Sequence, residues 1–536
     1  MQSEVITQNS EITIPNSRPF GQKFILIVLA LIQGFLALTV STGILPSAYA
    51  WLQLAVVAIA VICLDEYYAL LLVIVGLPFY LALPNARFDS LSAWRMAVII
   101  VFIAWLIRIK AWQKSFLSKK FWADLLSRLP KWDKYILIYA IAAAVTIAFE
   151  PFRGVGLFKL MFFANAYGIY LLVFAIANSP QKIKGVMTAF FASTAAIVII
   201  GYIQYAATFF SSTYNFWQYW ATVISRSYYG SALSNSLVYS NSWFSFNAGG
   251  PPTLRMFSIL PDSHAFALVA MISCVPALAL LANAKGNARK ILYWIYIFFA
   301  SAAIELSGTR GAWAGALIPL VIGLYLLYKY RKQGKSLVVW RSLSVIILMG
   351  LIIVLSPFVQ KGVSLLDHGY NSGNDLLRAA SIYDLQETSN AGRIAIWKHT
   401  LAYDVRHPIV GSGLGNFVIT LVPGTSDYYA AADQNQREFN LPARYVTAHD
   451  LYLDVLTETG LLGLIPFVLY LFYIGRGLWY SARKTNSQYL MASLLMFFWI
   501  ISYSFFDGTL INDRVLLYFL IMVGIAAAAI KDYEHA

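Results

Sequence analysis

The chain has 536 residues, of which 59% are hydrophobic and only 12% are charged, with a mean hydropathy of +0.65. So apolar a chain cannot cover itself with polar surface in water, and its apolar runs repeatedly reach the roughly 20 residues that span a bilayer, which excludes an ordinary soluble protein. The net charge of +14 does not indicate a nucleic-acid partner, because lysine and arginine cluster in short loops between the apolar runs.

Neither the N-terminal stretch nor the cysteines indicate a cleaved signal peptide or a disulfide framework. Residues 1–23 are polar and include acidic side chains, so they are predicted to be a disordered cytoplasmic tail and not a cleaved signal peptide. The two cysteines, Cys63 and Cys274, lie inside apolar runs. A cysteine metal site is therefore not expected, and no other metal-ligand spacing stands out.

The apolar runs predict an all-α polytopic membrane protein with about 14 transmembrane helices, or 12–14 if short runs are merged. The second and third runs are short and separated only by Asp65 and Glu66, so a single re-entrant unit is an alternative for them. The runs are 24–45, 48–64, 67–83, 94–109, 133–149, 157–178, 183–210, 258–283, 290–307, 311–330, 337–357, 450–475, 488–506 and 514–531.

Basic residues fall in alternate loops, which by the positive-inside rule places both termini in the cytoplasm. The longest basic stretch, 108–134, carries eight lysines and arginines among aromatic residues and is predicted to lie on the cytoplasmic leaflet as an amphipathic segment. The resulting divisions are transmembrane helices at 24–210, an extracytoplasmic aromatic-rich loop at 211–257, helices at 258–357, a large extracytoplasmic loop at 358–449 and helices at 450–531.

The two extracytoplasmic loops differ in composition. Tyrosine and tryptophan alternate with small polar residues in 211–257, which suits stacking on sugar rings, although an interfacial aromatic belt is an equal alternative. The second loop contains a predicted helix at 390–406, ended by the pair His407–Pro408. The glycine-rich turn 411–417 follows and is interpreted as a tight loop, because no strand precedes it.

His449 stands where the second loop passes into an apolar helix that begins near Leu451. Asp450 falls in the first turn of that helix, where negative charge is favoured. Asp454 and Glu458 follow at four-residue steps, so the three carboxylates share one face that descends into the membrane. We interpret His449 as a catalytic base at the outer membrane surface; the alternative is a bystander histidine at a solvated helix start.

Three arginines beside the membrane fall on the same predicted side as this histidine: Arg153, Arg255 and Arg310. Guanidinium groups converging at a membrane surface suit a phosphate ligand, because they bind it through paired, charge-assisted hydrogen bonds. A lipid pyrophosphate is the membrane-borne ligand of that charge. The alternative pairs each arginine with a carboxylate, namely Arg153 with Glu150, Arg310 with Glu305, and, elsewhere, Arg514 with Asp507 or Asp513.

Three sequence blocks carry a resemblance to a known family: LSGTRGAWAG, GRIAIWKHTLAYDVRHPIVGSGLGNF and AHDLYLDVLTETGLLGLIPF. Together they make residues 250–510 resemble the O-antigen ligase family of bacterial envelope enzymes, which includes polymerase-like members. The family usually has asparagine where this chain has Asp450. It also has proline-asparagine where this chain has Pro261–Asp262, and both departures are compatible with a different acceptor.

The resemblance implies a GT-C-like bundle in the bacterial cytoplasmic membrane with an extracytoplasmic active site. It implies a metal-independent, inverting glycosyltransferase of lipopolysaccharide or other polysaccharide biosynthesis, with no cofactor and no nucleic-acid partner. The donor would be a glycan on undecaprenyl pyrophosphate and the acceptor a hydroxyl of a saccharide or glycolipid. By position, His449 would be the base and Arg255 and Arg310 would hold the pyrophosphate, with Arg153, Glu458, Asp450 and Arg393 in support.

Two other functions remain open at this point. A polymerase would use the same donor site but join two lipid-linked units, and residue types do not separate the two acceptors. A flippase for lipid-linked oligosaccharide would place charged groups midway through its spans and line a path between both faces. Glu305, Asp454 and Glu458 are the residues that would support such a transporter.

Overall fold

The computed structural model describes residues 19–84, 91–108, 129–149, 153–238, 243–245, 253–366, 382, 384–385, 388–417 and 447–535. Helices make up most of these residues, and the one sheet among them pairs β1 (Phe244–Ser245) antiparallel with β2 (Thr253–Leu254). The predicted all-α class is therefore confirmed. The greater part of the tail 1–23, of the basic segment 108–134 and of the loop 358–449 lies outside the described residues.

The first seven helices of the chain follow the predicted apolar runs closely, with the first one beginning five residues earlier than expected, and two further helices lie within the predicted loop 211–257. They are α1 (Pro19–Ser41), α2 (Leu52–Cys63), α3 (Glu66–Gly76), α4 (Ala93–Arg108), α5 (Asp133–Ile147), α6 (Arg153–Ile176), α7 (Pro180–Ala207), α8 (Thr213–Tyr219) and α9 (Arg226–Val238). Short 3₁₀ helices at Ser47–Trp51 and Leu77–Phe79 and a π-helix at Trp220–Ser225 complete this half.

The second half contains the helices that build the candidate site. They are α10 (Ser263–Ala282), α11 (Asn287–Leu306), α12 (Arg310–Gly315), α13 (Leu317–Tyr330), α14 (Ser336–Leu366), α15 (Thr388–Asp404), α16 (Leu451–Lys484), α17 (Gln488–Tyr503) and α18 (Asp513–His535), with a 3₁₀ turn at Thr509–Ile511.

Eight helical segments in the described part of the chain are long and apolar enough to cross a membrane, and three shorter apolar helices accompany them. This identifies a multi-pass membrane protein. Each of the fourteen predicted runs coincides with a helix, but helix length and composition support fewer spans, so the number of membrane crossings stays a prediction.

Helix α10 occupies the centre of the bundle. Its sequence is apolar on every side, which is the pattern of a helix surrounded by other helices, and nearly all of its residues are buried. It packs against α7, α11 and α17. Its first turn is capped by Asp262, whose carboxylate accepts the Ala265 N–H at 2.7 Å. The cap fixes the start of this helix, and His264 lies in that first turn.

Several helix ends meet at one end of the bundle, which we call the site end: α10, α12, α16 and α18 begin there, and α11 and α17 finish there. The start of α16 is joined to the end of α17 by the Leu451 N–H, which donates to Ser504 O at 2.8 Å. The indole of Trp499 in α17 donates to Ala312 O in α12 at 2.7 Å. Residues far apart in the sequence are thereby brought to one place.

Basic residues border the helix ends at the opposite end of the bundle. There, the Lys335 ammonium, just before α14, donates to Arg483 O near the end of α16 at 2.6 Å. Lys285 follows α10, and Lys332 follows α13. The basic loops predicted from the sequence therefore lie at the helix ends opposite the site end.

Helix α16 is broken at Gly460, whose φ is +60°. The break exposes backbone groups of α16, and the segment 408–412, just after α15, binds to them. Leu461 N–H donates to Pro408 O at 2.8 Å, and Leu462 N–H donates to Ile409 O at 3.2 Å. A Cβ on Gly460 would lie 2.1 Å from Ile409 O, so only glycine permits this approach. The contact fixes α15 against the outer part of α16.

The described part of the aromatic-rich stretch 211–257 is largely helical, and its aromatic side chains are divided between core and surface. Trp243 is buried and stacks on Phe257 with ring centroids 4.5 Å apart, and Trp220 is also buried. Tyr214 and Tyr219 remain exposed. The sugar-stacking interpretation is therefore wrong for the two buried tryptophans, which pack against Phe257 in the segment before α10.

Candidate functional site

Asp507, between α17 and α18, is the centre of an ionisable cluster at the site end. Its Oδ2 lies 3.7 Å from His449 Nδ1 and 3.8 Å from His264 Nε2. Its Oδ1 accepts the backbone N–H of Thr509 at 2.9 Å and also the Thr509 hydroxyl. Only 7% of the Asp507 side chain is exposed. One carboxylate oxygen is thus fixed by the backbone, while the other faces two imidazole rings.

Arg255 extends the cluster and approaches the same ring nitrogen of His264 that faces Asp507. Its Nη2 lies 3.4 Å from His264 Nε2, and its Nε donates to Ser307 O at 2.9 Å. The same Nη2 donates to Gly308 O at 3.2 Å and contacts the Thr309 hydroxyl at 3.4 Å. The guanidinium is therefore held rigidly against the turn between α11 and α12, which leads directly into Arg310.

The backbone of His449 adopts an unusual conformation, with φ at +53°. Left-handed backbone costs a non-glycine residue about 1–2 kcal/mol, so neighbouring contacts must hold it. The His449 N–H donates to the Thr447 hydroxyl at 3.1 Å, and the Ala448 N–H donates to Asp454 Oδ1 at 2.6 Å. The indole of Trp397 in α15 donates to Ala448 O at 2.7 Å. This support aims a partly exposed imidazole at Asp507.

The charges around Asp507 set its ionisation. Burial by itself raises the pKa of this carboxyl group, but the positive potential of His264, His449 and Arg393 outweighs burial and holds the pKa below its usual range. Arg393, on α15, also acts electrostatically on His264. Asp507 therefore carries a negative charge beside two imidazole rings, and the predicted supporting residue Arg393 is close enough to influence it.

The arginines predicted from the sequence occupy different places. Arg255 joins the cluster, and Arg310 begins α12 directly after the turn that holds Arg255. Arg153 begins α6 and its Nη2 donates to Ala148 O at 3.3 Å, on the exposed surface. Among the residues that the structure describes, Arg153 makes no contact with Asp507, and its alternative partner, Glu150, lies outside the described residues.

Asp450 and Glu458 have structural partners. Asp450 caps α16, with its carboxylate accepting the Tyr452 N–H at 2.8 Å and the Leu453 N–H at 3.0 Å. Burial raises the pKa of Asp450, and these two N–H groups oppose that rise. Glu458 pairs with Lys159 of α6 at 2.6 Å. These residues fix the helix that follows His449 and connect it to α6.

Sequence reasoning missed His264 and Asp507 as site residues. Asp507 was considered only as a partner of Arg514, but Arg514 instead donates to Tyr80 O and Tyr228 O, and Asp513 pairs with Arg95. One signal was available: an ionisable residue at the boundary of an apolar helix is a functional candidate. Both missed residues meet that criterion at the predicted outer side.

The fold and the cluster define a multi-pass membrane protein whose acid–base groups and guanidinium groups gather at one end of the helices. Residues 295–468 match the family model described as O-Antigen ligase. The match confirms the resemblance seen in the sequence and supports a membrane glycosyltransferase of the ligase or polymerase type. It includes Arg310, Arg393 and His449, whereas Arg255 and Asp507 lie outside it. No curated protein matches the chain.

Proposed function

We propose that the protein transfers a glycan from undecaprenyl pyrophosphate to a hydroxyl group of a saccharide or glycolipid acceptor, with inversion at the anomeric carbon. The observation that supports this best is the continuous series of contacts from His449 through Asp507 and His264 to Arg255. The series joins a base to a guanidinium group. The reaction requires the base at the acceptor hydroxyl and the guanidinium group at the leaving pyrophosphate.

The base acts on the acceptor. A sugar hydroxyl is a poor nucleophile, and an imidazole with an ordinary pKa near 6.5 suits removal of its proton during attack. Asp507 faces His449 Nδ1, which favours the tautomer protonated at Nδ1 and leaves the Nε2 lone pair for the acceptor. As the acceptor oxygen bonds to the anomeric carbon, its proton passes to Nε2.

The guanidinium groups act on the leaving group. The bond between the anomeric carbon and the phosphate oxygen breaks, and its electron pair leaves with the lipid pyrophosphate. Arg255, Arg310 and Arg393 neutralise that charge, which makes the pyrophosphate a good leaving group. Attack from the face opposite the pyrophosphate inverts the anomeric configuration in a single step.

The charge asymmetry of the bundle supports an extracytoplasmic site. The helix ends opposite the site end carry Lys285, Lys332, Lys335 and Arg483. Because basic loops face the cytoplasm, the cluster faces outward, where completed lipid-linked glycans are available in the bacterial inner membrane. The same rule directs the end of α18 to the cytoplasm.

His449→Ala and Asp507→Asn test the proposal. Loss of a general base lowers a rate by about 10²–10⁴-fold, and we expect a fall of that order for each variant, since asparagine cannot hold the same imidazole tautomer. Purified protein in proteoliposomes would receive lipid-linked glycan and acceptor from the source strain, and product would be measured.

His399→Ala, on the exposed surface of α15, is the matched control and should transfer normally. Wild-type rates in folded His449→Ala would refute the proposal. Supplying the lipid-linked glycan without another acceptor separates the two reactions of this class: a ladder of longer products identifies a polymerase, and its absence with activity restored by added acceptor identifies a ligase.

A further inference from the structure

Helix α15 buries polar residues and exposes apolar residues on one of its sides, which is unusual for a helix that lies in water. Thr400 and Asp404 are buried, whereas Leu401 and Val405 are 49% and 80% exposed. Leu401 and Val405 are one turn apart and share one side, since the Val405 N–H donates to Leu401 O at 3.0 Å. An extramembrane helix with this arrangement presents an apolar strip away from the protein.

The orientation of α15 is fixed by polar contacts on its inner side. Trp397 donates to Ala448 O at 2.7 Å, and the Thr457 hydroxyl of α16 donates to Asp404 Oδ2 at 3.1 Å. Rotating Leu401 and Val405 inward would break both bonds and leave buried polar groups unpaired. The exposed apolar strip is therefore a stable feature of the fold.

The strip continues onto the surface of a membrane-spanning helix. Ile409, 65% exposed, accepts a hydrogen bond from the Leu462 N–H of α16. On α16, Leu461, Leu462 and Ile465 are 45%, 41% and 56% exposed. Exposed apolar side chains on a spanning helix face lipid, so Ile409 connects the exposed apolar residues of α15 to the lipid-facing side of α16.

Exposed basic side chains accompany the strip. Lys398 precedes Leu401 by one turn, and Arg406 follows Val405. Apolar residues beside lysine and arginine are the pattern of a helix that lies in the membrane interface, with its apolar side in the acyl boundary and its cations among phosphates. We propose that α15 is such an interfacial helix, seated on the outer leaflet of the bilayer by Leu401, Val405 and Ile409.

This position has a consequence for the cluster, which rests on the proposed function. Trp397 contacts the residue next to His449, and a helix is about 10 Å across. Seating α15 in the interface therefore places His449 and Arg393 near the depth of lipid phosphates, where the pyrophosphate of a lipid-linked donor lies. The donor would reach the site without leaving the membrane.

Site-directed spin labelling tests the proposal independently of transfer. Full-length protein with Cys63→Ser, because Cys63 is exposed and Cys274 is buried, would carry a nitroxide at Leu401→Cys or Val405→Cys. A label at His399→Cys is the control, since it lies about 160° around the helix from Leu401. Nanodiscs of phosphatidylcholine with a minor fraction of phosphatidylglycerol supply the bilayer.

If α15 lies in the interface, the labels at 401 and 405 should collide several-fold more often with oxygen than with a water-soluble nickel chelate. The label at 399 should collide more often with the nickel chelate than with oxygen. Equal access of the nickel chelate to all three positions would mean that α15 stands in water. Exclusion of both reagents from 401 and 405 would mean that protein, from this chain or a second copy, covers the strip. Either of these two results overturns the proposal.

Discussion

Asp262 and Asp507 lie on two sides of the His264 imidazole. Their surroundings nevertheless shift the two pKa values in opposite directions. Asp507 faces His264, His449 and Arg393, which hold its pKa below the usual range against the effect of burial. Burial and the charge of Asp507 raise the pKa of Asp262 to about 6, although the Ala265 N–H and Arg255 partly oppose that rise. The site end therefore keeps one fixed negative charge and one carboxyl group that titrates.

Asp262→Asn should change how stability depends on pH. A carboxyl group whose pKa is raised in the folded chain binds its proton more tightly there, so its favourable contribution is complete below about pH 4. It is lost as the pH rises through about 6. The loss is at most about 3 kcal/mol, at about 1.4 kcal/mol per pKa unit, because the side chain remains 23% exposed.

Thermal unfolding in detergent at pH 4.5 and pH 7.5 measures this effect. The wild-type Tm should fall more between the two pH values than that of Asp262→Asn, which retains the helix cap. Asp262→Ser also caps the helix without titrating and should show the same smaller fall. Identical pH dependence in wild type and both variants would contradict the assignment.

At the scale of elements, the break in α16 determines where α15 lies. Helix α16 and the segment 408–412 share backbone hydrogen bonds at Leu461 and Leu462. These bonds require the left-handed glycine at position 460. These bonds fix α15 against α16. Trp397 of α15 in turn holds the backbone beside His449. A change at the break is therefore expected to reach the cluster through α15.

Gly460→Ala tests that connection. The substitution places a side chain at φ +60° and a Cβ 2.1 Å from Ile409 O, so we expect a loss of at least about 2 kcal/mol of stability and a large loss of transfer. Tm and transfer in proteoliposomes measure both. Gly350→Ala, in α14, is the matched control, because its Cβ would meet nothing within 4 Å. Normal transfer by Gly460→Ala would exclude the connection.

The positions of the helices were largely predictable from the sequence, whereas the break in α16 was not. Apolar runs locate helices because each span must bury or present to lipid about 20 apolar residues, and the predicted run 450–475 coincides with the outer part of α16. Gly460 looks like an ordinary glycine within that run. Its left-handed backbone depends on the segment 408–412, and no local pattern reveals that partner.

Only part of the candidate site was predictable from the sequence. His449 and Arg255 stand beside apolar helices, and that position indicated functional side chains. Their partners, His264 and Asp507, come from other helices, so their approach depends on how α10, α16 and α17 pack. Side-chain type and spacing carry no information about such packing, which explains why Asp507 was expected beside Arg514 instead.

At the scale of the whole molecule, the distribution of charge favours an enzyme with one working face over a transporter. The Arg255, His264, Asp507 and His449 side chains all lie at the site end. Glu458, one of the groups that would support transport, is paired with Lys159. A transporter needs ionisable groups along a path between the two faces, whereas this cluster gathers at the end opposite the basic loops.

That arrangement predicts a definite sidedness in the cell. In a Cys63→Ser background, His399→Cys on α15 should react with a membrane-impermeant thiol reagent added to intact spheroplasts, because the proposed function requires the site end to face outward. Lys285→Cys, in the loop after α10, should react only after permeabilisation. Cys274 is buried and supplies no background. Labelling of Lys285→Cys in intact spheroplasts, with His399→Cys protected, would place the cluster on the cytoplasmic face. There it would meet lipid-linked glycans before their export, and a role in transferring completed glycans outside the membrane would be excluded.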